Sequence, residues 1–348
     1  MFKILFIVLM TLILSSCQSS TQQVKQEVSQ DSIATSSKSS TPVKQDQKSH
    51  IPLTAYDYHI YNAQWQKTSL TKVVDELTQV DVIFIGEYHG NHASHLLQTQ
   101  LFSELYKRKS ELILTLEMFN RDQQGILNDY IDGFIGEKTL INDAPAWPNY
   151  KASYRPSVEF AKEHFLPIIA ANAAANTVRC IGSQGESYIN KLTTEEKSNI
   201  AESPFAAIAG YKEKFVGFMQ GAKQASDKRI NKSYLAQITR DNTMAESILK
   251  AINNHPNHKV IHLNGTFHSE NHLGTVGALK RLAPQLKVKV ITPLYIDELN
   301  NAIADKTRTD DFYYTIKAQP AEYVKSENRR KAHQRMFANA SKKAKKCR

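Results

Sequence analysis

Two glutamates, two histidines and an asparagine stand out in this sequence because each comes soon after a short apolar segment. These residues are Glu87, His89, Glu117, Asn172 and His268. Carboxylate and imidazole side chains together can hold a divalent ion such as zinc, manganese or iron, and such an ion activates water for hydrolysis. Side chains of the same types also cap helices and bind loop amides, so a purely structural role is the alternative.

The segment around Glu87 and His89 predicts a strand, a polar turn and a helix, in that order. Residues 82–85 are wholly apolar, as expected for a strand that is buried on both faces. Asn91 is a suitable N-cap, and apolar residues then recur at four-residue spacing as far as Leu105. Because ligands of open α/β sheets bind at the carboxyl ends of the strands, Glu87 and His89 are expected there.

Four further apolar segments have the length of buried strands, and helical segments lie between them. The five predicted strands are residues 82–85, 112–116, 166–170, 260–263 and 288–294, and residues 58–70 predict an antiparallel hairpin. The predicted fold class is α/β, with a mostly parallel sheet flanked by helices and a small all-helical insertion domain. Residues 53–184 and 255–318 are assigned to the α/β domain, and residues 185–254 to the helical domain.

The N-terminus predicts an export signal followed by a tether. Residues 1–17 carry Lys3, an apolar run and then two serines before Cys17, an order that resembles a bacterial lipoprotein signal with lipidation at Cys17. An ordinary signal peptide or a membrane anchor is the alternative, but the apolar run is short for a spanning helix, which needs about 20 residues. Gln18 stands where an aspartate often retains lipoproteins in the inner membrane, so a lipid anchor in the outer membrane is expected. Residues 18–52 are rich in Ser, Thr, Gln and Lys and predict a disordered tether.

The positive charge of the chain is concentrated at its C-terminus. The formal net charge is +10, and residues 329–348 contain nine Lys and Arg with no Asp or Glu. Residues 319–348 are therefore interpreted as a basic tail that is solvated and poorly ordered, and contact with anionic lipid or nucleic acid is the alternative. We predict no nucleic-acid partner. The three cysteines, Cys17, Cys180 and Cys347, form no CxxC pair and no zinc spacing, and the sequence contains no HExxH motif.

Short motifs at these strand ends resemble the ChaN family of haem-binding lipoproteins. They are Gly86-Glu87-Tyr88-His89, Glu117-Met118-Phe119 with Gln123, Ala171-Asn172, Gln237 with Met244-Ala245, and Gly265-Thr266-Phe267-His268. The resemblance covers about residues 75–295. The wider superfamily includes Tiki-type metalloproteases and erythromycin-esterase-like enzymes.

The resemblance implies a haem-binding protein that takes part in haem and iron acquisition and is not an enzyme. It implies haem held between two protomers, with the iron bound by a tyrosine and the propionates met by a histidine. A phenolate suits ferric iron. The candidate ligands, in the order preferred from the sequence, are Tyr154, Tyr211, Tyr150 and Tyr88, with His89 and His268 as the histidines. The implied partners are haem, a second copy of the chain, the membrane through the lipid, and an outer-membrane haem receptor.

Two other functions are consistent with the same residues. One is a divalent-metal-dependent hydrolase in which Glu87, His89, Glu117 and His268 hold the ion. The other is an adhesive or structural lipoprotein in which these residues only cap helices. His92 and His95 share a helix face with each other and are expected to be exposed polar residues rather than ligands.

Overall fold

The protein is described by a computed structural model that covers residues 52–221 and 226–347. The predicted signal peptide with Cys17, and all of the predicted tether except residue 52, lie outside the described residues. All of the described residues belong to one compact unit. Within those residues, none of the helices has the length and apolar character needed to cross a membrane.

In this described part of the chain, eight strands form one mixed sheet, in the spatial order β2-β1-β8-β7-β3-β6-β4-β5. Their bounds are β1 Tyr58–Asn62, β2 Lys67–Thr68, β3 Val82–Glu87, β4 Leu112–Asn120, β5 Ile168–Asn172, β6 Lys259–Gly265, β7 Val288–Tyr295 and β8 Phe312–Ile316. The six strands from β8 to β5 are parallel, and β1 adds antiparallel to β8 and to β2 at one edge. The predicted fold class is therefore confirmed, as are the five predicted strands and the hairpin. Strand β8 was not predicted.

Thirteen α-helices are present in the described part of the chain. Their bounds are α1 Leu70–Leu77, α2 His92–Arg108, α3 Gln124–Ile131, α4 Glu137–Asp143, α5 Tyr150–Ser153, α6 Arg155–Glu163, α7 Ala175–Gln184, α8 Thr194–Ser198, α9 Tyr211–Gly221, α10 Asp227–Asn254, α11 Gly274–Leu282, α12 Leu299–Ala304 and α13 Ser326–Ala344. Short 3-10 helices occur at Arg121–Gln123, Glu186–Lys191, Thr266–His268, Glu270–His272 and Ile296–Glu298. Helix α2 begins where predicted, because the Asn91 side chain accepts a hydrogen bond from the Ser94 amide at 3.1 Å.

Strand β3 packs apolar side chains on both faces of the sheet, which explains its continuous apolar sequence. Ile83 and Ile85 join a core cluster with residues of α1, α2 and α6. Val82 and Phe84 point the other way and join a second cluster with residues of α10 and α11. Because successive side chains alternate between the two faces, each face of the sheet has its own layer of helices.

The segment predicted as a helical domain packs directly on the sheet and its helices. The 28-residue helix α10 contacts β5, α7 and α11, and it contributes to the second core cluster. This contact brings side chains from the interior of α10 to the carboxyl ends of the strands. The grouping of polar side chains at these strand ends depends on that placement.

The basic C-terminal segment differs from the poorly ordered tail expected from its composition. Residues 326–344 form helix α13, which is exposed along most of its length. The end of this segment is fixed by a disulfide between Cys347 and Cys180 of α7. The cysteine spacing gave no sign of this bond because 167 residues separate the two cysteines.

Candidate functional site

The carboxyl ends of four neighbouring strands carry the polar residues singled out in the sequence. Strand β3 ends at Glu87, β6 ends at Gly265 just before His268, β4 contains Glu117 and β5 ends at Asn172. These strands are consecutive in the sheet, so their ends lie side by side. The Asn172 side-chain amide donates to the Glu117 carbonyl oxygen at 2.9 Å. The structure thus brings the strand-end residues together on one rim, as the fold class predicted.

Glu87 is the centre of the first polar group on this rim. Its buried carboxylate accepts hydrogen bonds from the Tyr154 hydroxyl at 2.7 Å, from the Gln98 amide at 2.8 Å and from His89 Nδ1 at 2.7 Å. The His95 ring lies 3.4 Å away and is buried, so the expectation that His95 is an exposed polar residue is wrong. Burial alone would lower the pKa of His89, but the hydrogen bond to Glu87 and the charges of Glu117 and Glu87 raise it.

His268 is the centre of the second polar group and lies between two carboxylates. Its Nδ1 is 2.7 Å from Asp241 Oδ1, and its Nε2 is 3.4 Å from Glu117 Oε1. Burial alone would lower the pKa of His268, but the charges of Asp241 and Glu117 outweigh it and raise the pKa to about 10. Burial would likewise raise the pKa of Glu117, but the charge and hydrogen bond of His268 lower it to about 2. His268 is therefore a buried cation at neutral pH, and Glu117 is an anion.

A glycine at the end of β6 makes room for this arrangement. A Cβ atom on Gly265 would lie 2.6 Å from His89 Nε2, which is closer than real Cβ atoms approach another heavy atom. The Gly265 amide also donates to Glu117 Oε2 at 2.6 Å. Gly265 therefore lets His89 and Glu117 approach the same backbone position, which gives a physical reason for glycine in the Gly-Thr-Phe-His motif.

Two cavities open on this rim and share one wall. The aromatic cavity, of about 770 Å³, has the rings of Tyr88, Phe215, Phe218, Phe267 and Tyr295 in its lining, with Glu87 and His89 at one side. The polar cavity, of about 720 Å³, is lined by Glu117, Asn172, Arg179, Arg240 and Trp147 among others. Gln237 and His268 line both cavities. Both volumes fall within the range of about 300–1,000 Å³ that is usual for cofactor and small-molecule sites.

The four candidate tyrosines occupy different environments. Tyr154 is fully buried, and its hydroxyl donates a hydrogen bond to Glu87. Tyr211 and Tyr150 are also buried, and none of these three lines either of the two cavities. Tyr88 is half-buried and lines the aromatic cavity, where its ring packs on that of Tyr295 with centroids 4.5 Å apart. The order preferred from the sequence therefore does not match the order of access to a cavity.

A divalent metal site at this rim is not supported. Among residues 52–221 and 226–347, no group of three or more His, Cys, Asp or Glu side chains has the geometry to hold a metal ion. The physical reason lies in the partners already present. The Glu87 oxygens accept from Tyr154, His89 and Gln98, and His268 is bound to Asp241, so a metal would have to replace these hydrogen bonds.

Several residues of the site were not identified from the sequence. Asp241 and Arg240 lie within α10, where a regular helical pattern gives no sign that they face the strand ends. Tyr295 and Phe215 were not assigned to a site either, although both line the aromatic cavity. The only available signal was the Gln237 and Met244-Ala245 motif, which spans Arg240 and Asp241.

The fold and the rim together define a class of α/β ligand-binding protein with a polar centre beside an aromatic cavity. A family model described as haem-binding uptake, Tiki superfamily, ChaN matches residues 73–279, which is more than half of the chain. The chain therefore belongs to the ChaN family of haem-binding uptake proteins, as its motifs indicated. Membership supports haem as the ligand.

Known structures and curated proteins give further similarities. The structure of ChaN of Campylobacter jejuni, described as showing cofacial haem binding, matches with a TM-score of 0.56 at 18% identity and covers 75% of this chain and 98% of that chain. At this identity the match establishes the fold. An erythromycin esterase, EreC, in its open conformation matches with a TM-score of 0.40 at 14% identity, covering 68% of this chain and 77% of that chain.

A curated relative comes from a plant. Protein RETICULATA-RELATED 5, chloroplastic, of Arabidopsis thaliana is 23% identical over 197 residues, a match that covers 52% of this chain. The match spans only 26% of the length of that relative.

Proposed function

We propose that this chain is a haem-binding lipoprotein of the cell envelope that takes part in haem and iron acquisition and is not an enzyme. Membership of the ChaN family supports haem as its ligand. The signal-like order of residues 1–17, which ends with Cys17, supports lipidation of that cysteine and an outer-membrane anchor. The observation that carries the proposal is the aromatic cavity, because its walls match the chemistry of haem.

The aromatic cavity fits a large, flat and mostly apolar ligand. Phe215, Phe218 and Phe267 offer ring faces and edges, and their centroids lie 5.3 to 6.3 Å from one another where they pack directly. The lining also contains polar residues, among them Glu87, His89 and His268, with Lys214 and Glu270. An apolar cavity with a few placed polar groups is the usual form of a cofactor site.

Tyr88 is the tyrosine best placed to bind the iron. Haem would supply a ferric iron, for which a phenolate oxygen is a suitable ligand. Tyr88 lines the aromatic cavity, and no described residue is hydrogen-bonded to its hydroxyl. Burial, with the charges of Glu298 and Glu270, raises the pKa of Tyr88, so its hydroxyl keeps its proton at neutral pH until it is coordinated. Tyr154, by contrast, would first have to release Glu87.

A second protomer would cover the open side of the aromatic cavity. Phe218 is 64% exposed although it lines this cavity, so one wall faces solvent in the single chain. A two-fold contact that uses the same patch twice would bury this ring and the outer face of a bound haem. A shared membrane anchor would favour this pairing by confining both protomers to one surface.

The ligand assignment is tested by visible spectra of the full chain in detergent with ferric haem. We expect Tyr88→Phe to lose the ferric tyrosinate-type spectrum, because only the hydroxyl is removed and the ring packing on Tyr295 remains. Tyr154→Phe is the matched control, since it removes a hydroxyl on the same rim, and it should keep the spectrum. If Tyr154→Phe instead loses the spectrum and Tyr88→Phe keeps it, the iron ligand is Tyr154. The proposed function would be refuted if none of these proteins, the wild type included, bound haem saturably.

A further inference from the structure

The polar cavity contains an arginine to which no described residue is bound. Arg240 is half-buried on α10 and lines this cavity, yet no described residue forms a hydrogen bond or an ion pair within 4 Å with its guanidinium. Several other partly buried cations have protein partners. Arg121 donates to Ser247 and to carbonyls, Lys214 pairs with Glu270 at 3.1 Å, and Lys259 donates to the Val80 carbonyl. A guanidinium without protein acceptors in an open cavity takes its hydrogen bonds from water or from a bound ligand.

Arg240 belongs to a group of cations on the same cavity wall. Arg179 of α7 lines the cavity and donates to Asn176 at 3.0 Å, without a carboxylate partner. Burial lowers the pKa of Arg240, and the positive charge of Arg179 acts in the same direction, against the charges of Glu117 and Asp241. Lys343 of α13 completes the group, since the Cys180–Cys347 disulfide holds the end of α13 beside α7.

The charges of Glu117 and Asp241 act on Arg240, but both carboxylates are already paired with His268. Glu117 is paired with His268, with Nε2 and Oε1 3.4 Å apart. Asp122 and Asp143 are exposed, so they lie where water and salt screen them. The inner wall therefore has two guanidinium groups to which a bound anion could supply hydrogen-bond acceptors.

We propose that the polar cavity is a carboxylate-binding site in which Arg240 and Arg179 are the principal donors. A planar guanidinium matches a carboxylate with two parallel hydrogen bonds, which favours this group over a simple ion. Two sources of carboxylate have this chemistry. One is a propionate of haem bound in the aromatic cavity, which shares Gln237 and His268 with the polar cavity, and this source depends on the proposed function. The other is a free polycarboxylic acid.

Titrations with three probes test the site and distinguish its sources. The probes are ferric haem, ferric haem dimethyl ester, whose propionates are blocked, and citrate. The proteins are the full chain in detergent and its variants Arg240→Gln, Arg240→Lys and Arg179→Gln, with Arg229→Gln as control. Arg229 is an exposed arginine of the same helix α10 and lines neither cavity. Binding is followed by absorbance for the two haems and by calorimetry for citrate.

A loss of about ten- to a hundredfold in affinity is expected for Arg240→Gln, as for removal of a charged hydrogen-bond donor. If the variant binds haem more weakly but binds the diester as the wild type does, the bound carboxylate is a propionate. If the variant binds citrate more weakly, the bound carboxylate is that of a free acid, and this result stands even if the chain binds no haem. Arg240→Lys should recover part of the loss, because it keeps the charge but not the planar fork.

Thermal melting without ligand separates a binding role from a structural one. Arg240→Gln should melt at or above the temperature of the wild type, because it removes a half-buried charge that has no partner. Arg179→Gln, at the more exposed guanidinium with one amide partner, gives a second variant if the first fails to fold. Equal affinities of Arg240→Gln, Arg179→Gln and Arg229→Gln for all three probes would overturn the proposal. Absence of both citrate binding and discrimination between haem and its diester would do the same.

Discussion

The protonation of His268 gives the site a measurable pH dependence. His268 lies between Asp241 and Glu117, and these charges raise its pKa from 6.5 to about 10. In the unfolded chain the same imidazole titrates near its usual pKa of about 6.5. The folded protein therefore binds one more proton than the unfolded chain between these two values. The contribution of His268 to the stability of the fold should be fully present below pH 6.5 and should fall as the pH rises toward 10.

The size of this effect follows from the shift. Each pKa unit corresponds to about 1.36 kcal/mol, so the shift of His268 corresponds to at most about 5 kcal/mol of unfolding free energy. The attraction between His268 and Glu117 also lowers the pKa of Glu117 to about 2, and the two shifts are parts of one interaction and are not added. At pH 8 about 2 kcal/mol of the contribution should already be lost.

Urea unfolding of the full chain at several pH values from 6 to 10 measures this contribution. His268→Gln should flatten the decline in unfolding free energy, while His333→Gln, at an exposed histidine of α13, should leave it unchanged. Proton NMR of the His268 ring gives its pKa directly. A His268 pKa near 6.5, or the same pH dependence in wild type and His268→Gln, would refute the charge assignment on which both cavities depend.

Three further predictions follow from the anchor, the disulfide and the exposed aromatic wall. Cys17→Ala should give a soluble or unprocessed protein, because the lipid supplies most of the membrane affinity, and normal lipid labelling of this variant would exclude the anchor. Replacing Cys180 and Cys347 together by serine should lower the unfolding free energy by about 2–5 kcal/mol and expose residues 319–348 to protease; unchanged values would mean that α13 is held by packing alone. Sedimentation should find the haem-free chain largely monomeric and the haem complex dimeric at micromolar concentration, and a monomeric haem complex would remove the paired arrangement.

The elements that depend on local pattern were accessible from the sequence. Strand β3 and helix α2 followed from an apolar run and from Asn91 as N-cap, and the strand-end rule then placed Glu87, Glu117 and His268 on one rim. These inferences succeed because a parallel sheet buries its strands on both faces and leaves polar residues only at their ends.

The features that depend on packing between distant elements were not accessible. Asp241 and Arg240 reach the rim only because α10 packs across β5, and no helical periodicity encodes that contact. Tyr154 ranked first as a ligand from its neighbours in the chain, but the sequence cannot show that its hydroxyl faces Glu87. Strand β8 was missed although the aromatic and β-branched residues of Phe312–Ile316 favour a strand, because the segment is only five residues long.

Titration of the full chain with ferric haem, followed by visible absorbance, measures haem binding directly. We expect a saturable endpoint at about one haem per chain, with a ferric spectrum typical of tyrosinate ligation. A titration without an endpoint, or a spectrum that remains that of free haem, would contradict haem binding in the aromatic cavity.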